Sequence, residues 1–159
     1  MSNKTIEIVQ ATTKAHYADA TALILEYAKW LNFDLAFQLF DQEMASLPIM
    51  YNESHGGLFI AYLNNEPVGV IGLRWLNQDD SEVKRMFVQE RARGNGIGKL
   101  LLTKCIDTAR RLQYKSIKLD TTDLMQYAIK LYTDHGFEEI PAYRYNPQEG
   151  ARYYQLKLK

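Results

Sequence analysis

Apolar positions change their spacing several times along the chain, and each change marks an element. Ile6 and Ile8 alternate with polar neighbours and are joined by Val9, a strand pattern over residues 5–11. Over residues 14–32, Ala20, Leu23, Ile24, Tyr27 and Leu31 recur at three- and four-residue steps, which gathers them on one face of a helix. A second helix is expected over about 35–47, stopping at Pro48, because the residue before a proline is pushed out of helical geometry. Residues 57–63 and 67–76 read as the arms of a hairpin around Asn64-Asn65-Glu66. In its second arm Ile71, Leu73 and Trp75 share one face, and Val70, Gly72 and Arg74 the other. A strand over 82–88, a helix over 96–112, a strand over 116–121 and a helix over 125–135 follow, with Gly136 where a left-handed cap is expected. Strands over 137–140 and 152–158 complete the series.

The order is strand, two helices, three strands, helix, strand, helix, two strands. It predicts an α/β (α+β) fold: a mixed, mostly antiparallel sheet of about seven strands with about four helices on its faces. The strand–helix–strand unit over 82–121 is expected to be parallel and right-handed. The 159 residues are 47% apolar and 24% charged, an ordinary globular composition. No linker, repeat or low-complexity stretch interrupts them, so 1–159 is read as a single domain. The 19 basic and 19 acidic residues balance, so neither a nucleic acid nor a membrane is expected as a partner, since both draw on excess positive charge. A lone cysteine, Cys105, excludes an internal disulfide, and no secretory or membrane-spanning apolar run is visible, so the expected location is cytoplasmic.

The chemistry concentrates in one stretch. The strand ending Met86-Phe87-Val88 runs through Gln89-Glu90-Arg91-Ala92 into Arg93-Gly94-Asn95-Gly96-Ile97-Gly98-Lys99, which opens a helix. Glycines let an anion approach the backbone, and the first N–H groups of a helix lack intrahelical partners. With the helix dipole they form a site suited to a pyrophosphate. A P-loop is ruled out because Leu100 follows Gly98-Lys99 and Arg93 stands where the early glycine belongs. A dinucleotide fingerprint is ruled out because Lys99 occupies its third glycine. What remains is Arg-x-x-Gly-x-Gly on Arg93, Gly96 and Gly98.

That turn, following that strand, resembles the acetyl-CoA motif of the GNAT superfamily of N-acetyltransferases. Ala128-x-x-Leu131-Tyr132-x-x-x-Gly136-Phe137 resembles the superfamily's next signature, at the usual distance. Together the two motifs cover roughly residues 82–137, and the element order of the remainder agrees. The resemblance implies a GNAT fold whose central parallel strands splay around coenzyme A. It implies that the backbone of Met86, Phe87 and Val88 takes the pantetheine arm, with one N–H polarising the acetyl carbonyl. It implies that Arg93, Gly94, Asn95, Gly96, Ile97, Gly98 and Lys99 cradle the pyrophosphate. One departure stands out: many members carry asparagine where this chain has Met125.

Amide formation from a thioester needs a neutral amine, a polarised carbonyl and a proton for the leaving thiolate. By resemblance Tyr132 is the acid beside the sulfur and also touches the cofactor. Glu82 is the leading base and Asp120, on the next strand, the second candidate. Set against these are plainer roles: a core tyrosine, a solvated strand-end charge and a turn carboxylate. Tyr27, Trp30, Phe33, Phe37 and Phe40 cluster in the first two helices, a stripe that is more often core but that by the resemblance lines the acceptor side, and Tyr143, Tyr145, Asn146 and Pro147 lie in a late loop able to close it. Arg74 and Arg85 are candidates for an acceptor carboxylate. His16, His55 and His135 lack metal-ligand spacing, so no metal is expected. No Gly-x-Ser-x-Gly or activated nucleophile is present, so transfer is expected to be direct. The reading is an acetyl-CoA-dependent N-acetyltransferase acting on a primary amine of a small molecule or amino acid, with a homodimer compatible with the family. Alternatives are a protein N-terminal or lysine acetyltransferase, a catalytically silent acyl-CoA sensor, and an interaction module on the same fold.

Overall fold

The computed structural model describes residues 4–31 and 40–159, with Phe40 described at the backbone only. Its strands are β1 (Ile6–Gln10), β2 (Gly57–Leu63), β3 (Glu66–Trp75), β4 (Asp80–Val88), β5 (Ser116–Thr122), β6 (Glu138–Ile140) and β7 (Ala151–Lys157). Its helices are α1 (Lys14–Leu31), α2 (Phe40–Ala45), α3 (Leu47–Met50), α4 (Ile97–Arg111) and α5 (Gln126–Asp134). All seven strands join one sheet in the order β1-β2-β3-β4-β5-β7-β6. Only β4 and β5 pair in parallel, and the other neighbours are antiparallel. The β2–β3 turn is Asn64-Asn65 with φ 51 and 69, the positive values that a two-residue hairpin needs and asparagine tolerates.

Both faces of the sheet are covered, which explains why β2 reads as a continuous apolar run rather than an alternation. On one face Phe59, Ile71 and Leu73 pack with Leu101, Leu102 and Cys105 of α4. On the other, Leu58, Ile60, Val70 and Phe87 pack with Leu23 and Ile24 of α1. Burial of a side chain such as Leu101 contributes about 1.5–3 kcal/mol.

The segment before β2 departs from expectation. Pro48 does not stop a helix; it lies in the first turn of α3, after a break at Ser46. A first-turn N–H has no intrahelical partner to lose, so proline is tolerated there. Residues 35–39 of the predicted helix lie outside the described residues, as do Phe33 and Phe37.

Candidate active site

The site forms where β4 and β5 part. Their paired register is Asp80↔Ser116, Ser81↔Ile117 and Glu82↔Lys118, although β4 continues to Val88 and β5 to Thr122. The divergence coincides with a bulge. The β3–β4 register slips between Val70 and Gly72, so that Arg85 and Met86 together face Ile71. Arg85 has φ 62, a left-handed value that side-chain-bearing residues rarely adopt within a strand. A bulge bends its strand and raises the local twist, and this one lies just beyond Glu82, the last β4 residue paired with β5.

Two adjoining cavities fill the gap. The larger, of about 410 Å³, is a groove bordered by Trp30, Met86, Phe87, Val88, Arg93 and Tyr127. The smaller, of about 50 Å³, is bordered by Tyr27, Lys84, Asp120, Thr122, Tyr132 and Asn146. Met86 and Met125 border both, so the groove and the small polar cavity lie side by side.

The glycine turn stands at the outer end of the groove. A 3-10 turn over Glu90–Ala92 leads to Gly94 and Gly96, with φ 84 and 75, and Gly96 caps α4. A Cβ built on either glycine meets nothing within 4 Å, so the backbone faces open space. Arg93 donates from Nε to the Val88 carbonyl at 3.1 Å, and its guanidinium sits 5.5 Å from the centre of the Trp30 ring. Asn95 donates to the Ala92 carbonyl at 2.8 Å and accepts from Lys4 Nζ at 2.9 Å. Lys99 is exposed.

At the inner end lie the proposed catalytic groups. Tyr132 is buried on α5, its ring 5.7 Å from that of Phe137. Burial, helped by the neighbouring Tyr27, Cys105 and Asp120, pushes its hydroxyl far above the usual phenol range, so it holds its proton at neutral pH. Asp120 is half-buried at the cavity wall and accepts a hydrogen bond from Asn146 at 3.1 Å. Lys84, also at the wall, is buried; desolvation lowers its pKa to about 8 despite the pull of Glu82 and Asp120.

Glu82 is not at the wall. It is wholly buried and accepts from Arg74 Nε at 2.9 Å, Arg144 Nη2 at 2.6 Å and the Tyr143 hydroxyl at 2.6 Å. Arg74 is therefore engaged inside the protein. Arg85 borders the small cavity, and its guanidinium grips Glu43 through Nε–Oε2 at 2.8 Å and Nη2–Oε1 at 2.9 Å. Of the late loop, Asn146 borders the cavity and Tyr143 binds Glu82, whereas Tyr145 is exposed. Lys84, Thr122 and Glu43 were not singled out by sequence. A lysine amid the apolar residues of β4 was a legible signal for the first. Nothing local links Glu43 to Arg85. Among the described residues no cluster of His, Cys, Asp or Glu is arranged to hold a metal ion, and no helix is long and apolar enough to cross a membrane.

Known proteins resemble this chain in sequence and in fold. Residues 24–137 match the Acetyltransferase (GNAT) family. An uncharacterized N-acetyltransferase of Dictyostelium discoideum is 30% identical, over 97% of this chain and 99% of its own length. N-acetylaspartate synthetase of Xenopus tropicalis is 34% identical over 62% of this chain and 37% of its own. A crystal structure of a GNAT-family acetyltransferase from Staphylococcus aureus Mu50 superposes with a TM-score of 0.81 at 29% identity, covering 98% of this chain and 100% of the other. The family match takes in the strand, turn and helices that shape both cavities, and this chain belongs to the GNAT family as an N-acetyltransferase.

Proposed function

We propose that residues 1–159 form one domain that transfers an acetyl group from acetyl-CoA directly to the primary amine of a small molecule. The observation that carries this reading is the groove lying beside the small cavity bordered by Tyr132 and Asp120, with Met86 and Met125 common to both. The residues fit coenzyme A. The open backbone at Gly94 and Gly96 and the start of α4 suit a pyrophosphate, held by residues 93–99. The backbone of residues 86–88 lies along the groove for a pantetheine arm. Thr122 Oγ1, buried at the cavity wall with no hydrogen-bond partner among the described residues, is a donor awaiting a ligand. It offers a polar contact near Met125, where many family members carry asparagine. Acetyl-CoA supplies an acyl group already activated as a thioester.

The residues then divide the proton work. An alkyl amine has a pKa near 10.4, taking lysine as the guide, and arrives protonated at neutral pH. Asp120 accepts that proton at the cavity wall, directly or through one water. An N–H of residues 86–88 polarises the carbonyl, Tyr132 protonates the departing sulfur, and the second proton shed by the nitrogen as the amide forms restores the Tyr132 phenol. Glu82, the leading base by sequence, is assigned a different part: its oxygens already receive two guanidinium groups and a phenol, so it anchors the Tyr143–Arg144 loop. An amino acid is the favoured acceptor, because Asp120 and Lys84 offer both signs of charge to a zwitterion. The name of the N-acetylaspartate synthetase relative points the same way. The lone, buried Cys105 fits a reducing, cytoplasmic setting.

The test is an acceptor screen monitored by free-thiol release, with polyamines, amino acids and peptides as arms. Amino acids are expected to turn over best. Calorimetric binding of acetyl-CoA without turnover on any amine would instead indicate a silent sensor.

A further inference from the structure

We infer that Glu43 and Tyr51 are positioning residues for acyl transfer, holding the β4 bulge through Arg85 so that the backbone of residues 86–88 is aimed at the acyl group. The inference rests on the acetyltransferase reading above.

A left-handed, non-glycine residue in mid-strand persists only when its surroundings hold it there. At Arg85 those surroundings are identifiable. Its side chain is 4% exposed and its guanidinium meets Glu43 of α2, 2% exposed, through two parallel hydrogen bonds. Such a fork fixes orientation as well as distance. The Tyr51 hydroxyl donates to Glu43 Oε2 at 3.0 Å, the oxygen that also accepts from Arg85 Nε, and so helps fix the carboxylate. The Tyr51 ring is itself seated on the sheet: a Cβ at Gly72 would lie 2.5 Å from it, so only glycine leaves room. Gly72 neighbours Ile71, the residue opposite the bulge. The α2–α3 segment is thus fastened to both strands at the point where β4 turns from β5. Neither Glu43 nor Tyr51 borders either cavity, whereas Arg85 borders the smaller, so their influence on chemistry passes through Arg85 and the strand.

Three variants test this. Tyr51→Phe keeps the ring on Gly72 and removes one hydrogen bond. Glu43→Gln removes the charge and half of the fork. Glu43→Leu/Arg85→Met replaces the buried pair with apolar groups, a change that typically preserves folding where breaking one partner does not. Each is measured for acetyl-CoA affinity by calorimetry, for kcat and KM, and for amide hydrogen exchange at residues 84–88. Misaligned donors lower kcat by up to about 10²-fold, with acetyl-CoA affinity unchanged and exchange at the bulge faster. Tyr51→Phe is expected to show the smallest loss. If Glu43→Gln fails to fold, the double variant and Tyr51→Phe decide. Folded variants with wild-type kcat and wild-type exchange overturn the inference while leaving the acetyltransferase intact. Wild-type protein that acetylates no amine overturns both.

Discussion

Tyr132 and Asp120 stand at the wall of one small cavity, where the first is assigned to give a proton and the second to take one. Tyr132 keeps its proton because its buried setting penalises the phenolate. Tyr132→Phe is expected to lower kcat by about 10²- to 10⁴-fold, the usual worth of general acid assistance. Acetyl-CoA affinity by calorimetry should be unchanged, and a wild-type kcat would remove the hydroxyl from the mechanism. The two carboxylates separate by a different pair of readouts. Glu82→Gln leaves two partly buried guanidinium groups without their anion and is expected to cost about 3–5 kcal/mol in urea unfolding. Asp120→Asn should leave stability nearly unchanged but depress kcat/KM at neutral pH. Part of that loss returns as pH rises and solvent supplies neutral amine. If Glu82→Gln alone moves the pH–rate profile, the base is Glu82.

At the scale of elements, the helices and strands were legible because both faces of the sheet are buried and the apolar spacing records it. The turn after β4 was legible for another reason: Gly94 and Gly96 carry a backbone requirement on the residues themselves. The bulge was not legible. Arg85 looks like any strand arginine, and its left-handed φ depends on Glu43, 42 positions away in sequence. The anchoring of Glu82 was hidden for the same reason, since its partners come from β3 and from the loop before β7. The break at Ser46 was missed because a proline reads equally as the end of one helix or the first turn of the next. The turn carries its own prediction. Gly96 has a left-handed φ and open space before it, so Gly96→Val introduces strain at the α4 cap and a branched side chain where phosphate would sit. Wild-type protein at about 100 times its acetyl-CoA dissociation constant should gain about 2.7 kcal/mol from ligand linkage. For a domain of this size that raises the melting temperature by roughly 5–10 °C. Gly96→Val should fold, melt slightly earlier and lose most of the ligand-induced rise. An undiminished rise would take the pyrophosphate away from this turn.

For the whole molecule, the zero formal charge of the chain conceals an uneven interior. Glu82, Lys84, Arg85 and Glu43 are all buried around the sheet's divergence. Such groups make global stability depend on pH, and the sign differs from group to group. Burial opposes ionisation of Glu43, yet the hydrogen bonds and charge of Arg85 hold its carboxyl below the usual value of 4.5. Its contribution is therefore present above that value and lost as pH falls through the lower folded one. Lys84 works the other way. Its folded pKa of about 8 lies below the ordinary lysine value of 10.5, so between the two the unfolded chain binds more protons and stability rises with pH. Below about pH 8 the full cost of burying the ammonium applies, on the order of 3 kcal/mol from the shift. Above pH 10 tyrosines reverse the trend: the half-buried Tyr27, raised to about 12 chiefly by desolvation, stays neutral when folded and ionises earlier when unfolded. The Lys84 effect is thus readable between pH 7.5 and 10, by difference against a variant that keeps the length of the stem without the charge. Lys84→Met is expected to be more stable than wild type at pH 7.5 in urea unfolding, with the gap closing steadily toward pH 10. Activity should fall in the same variant if Lys84 receives the acceptor's carboxylate, and KM for an amino acid should rise more than KM for a simple alkyl amine. A constant stability gap across that range would mean that Lys84 keeps its ordinary pKa in the folded protein, and that the cavity wall is no harder on an ammonium than water is.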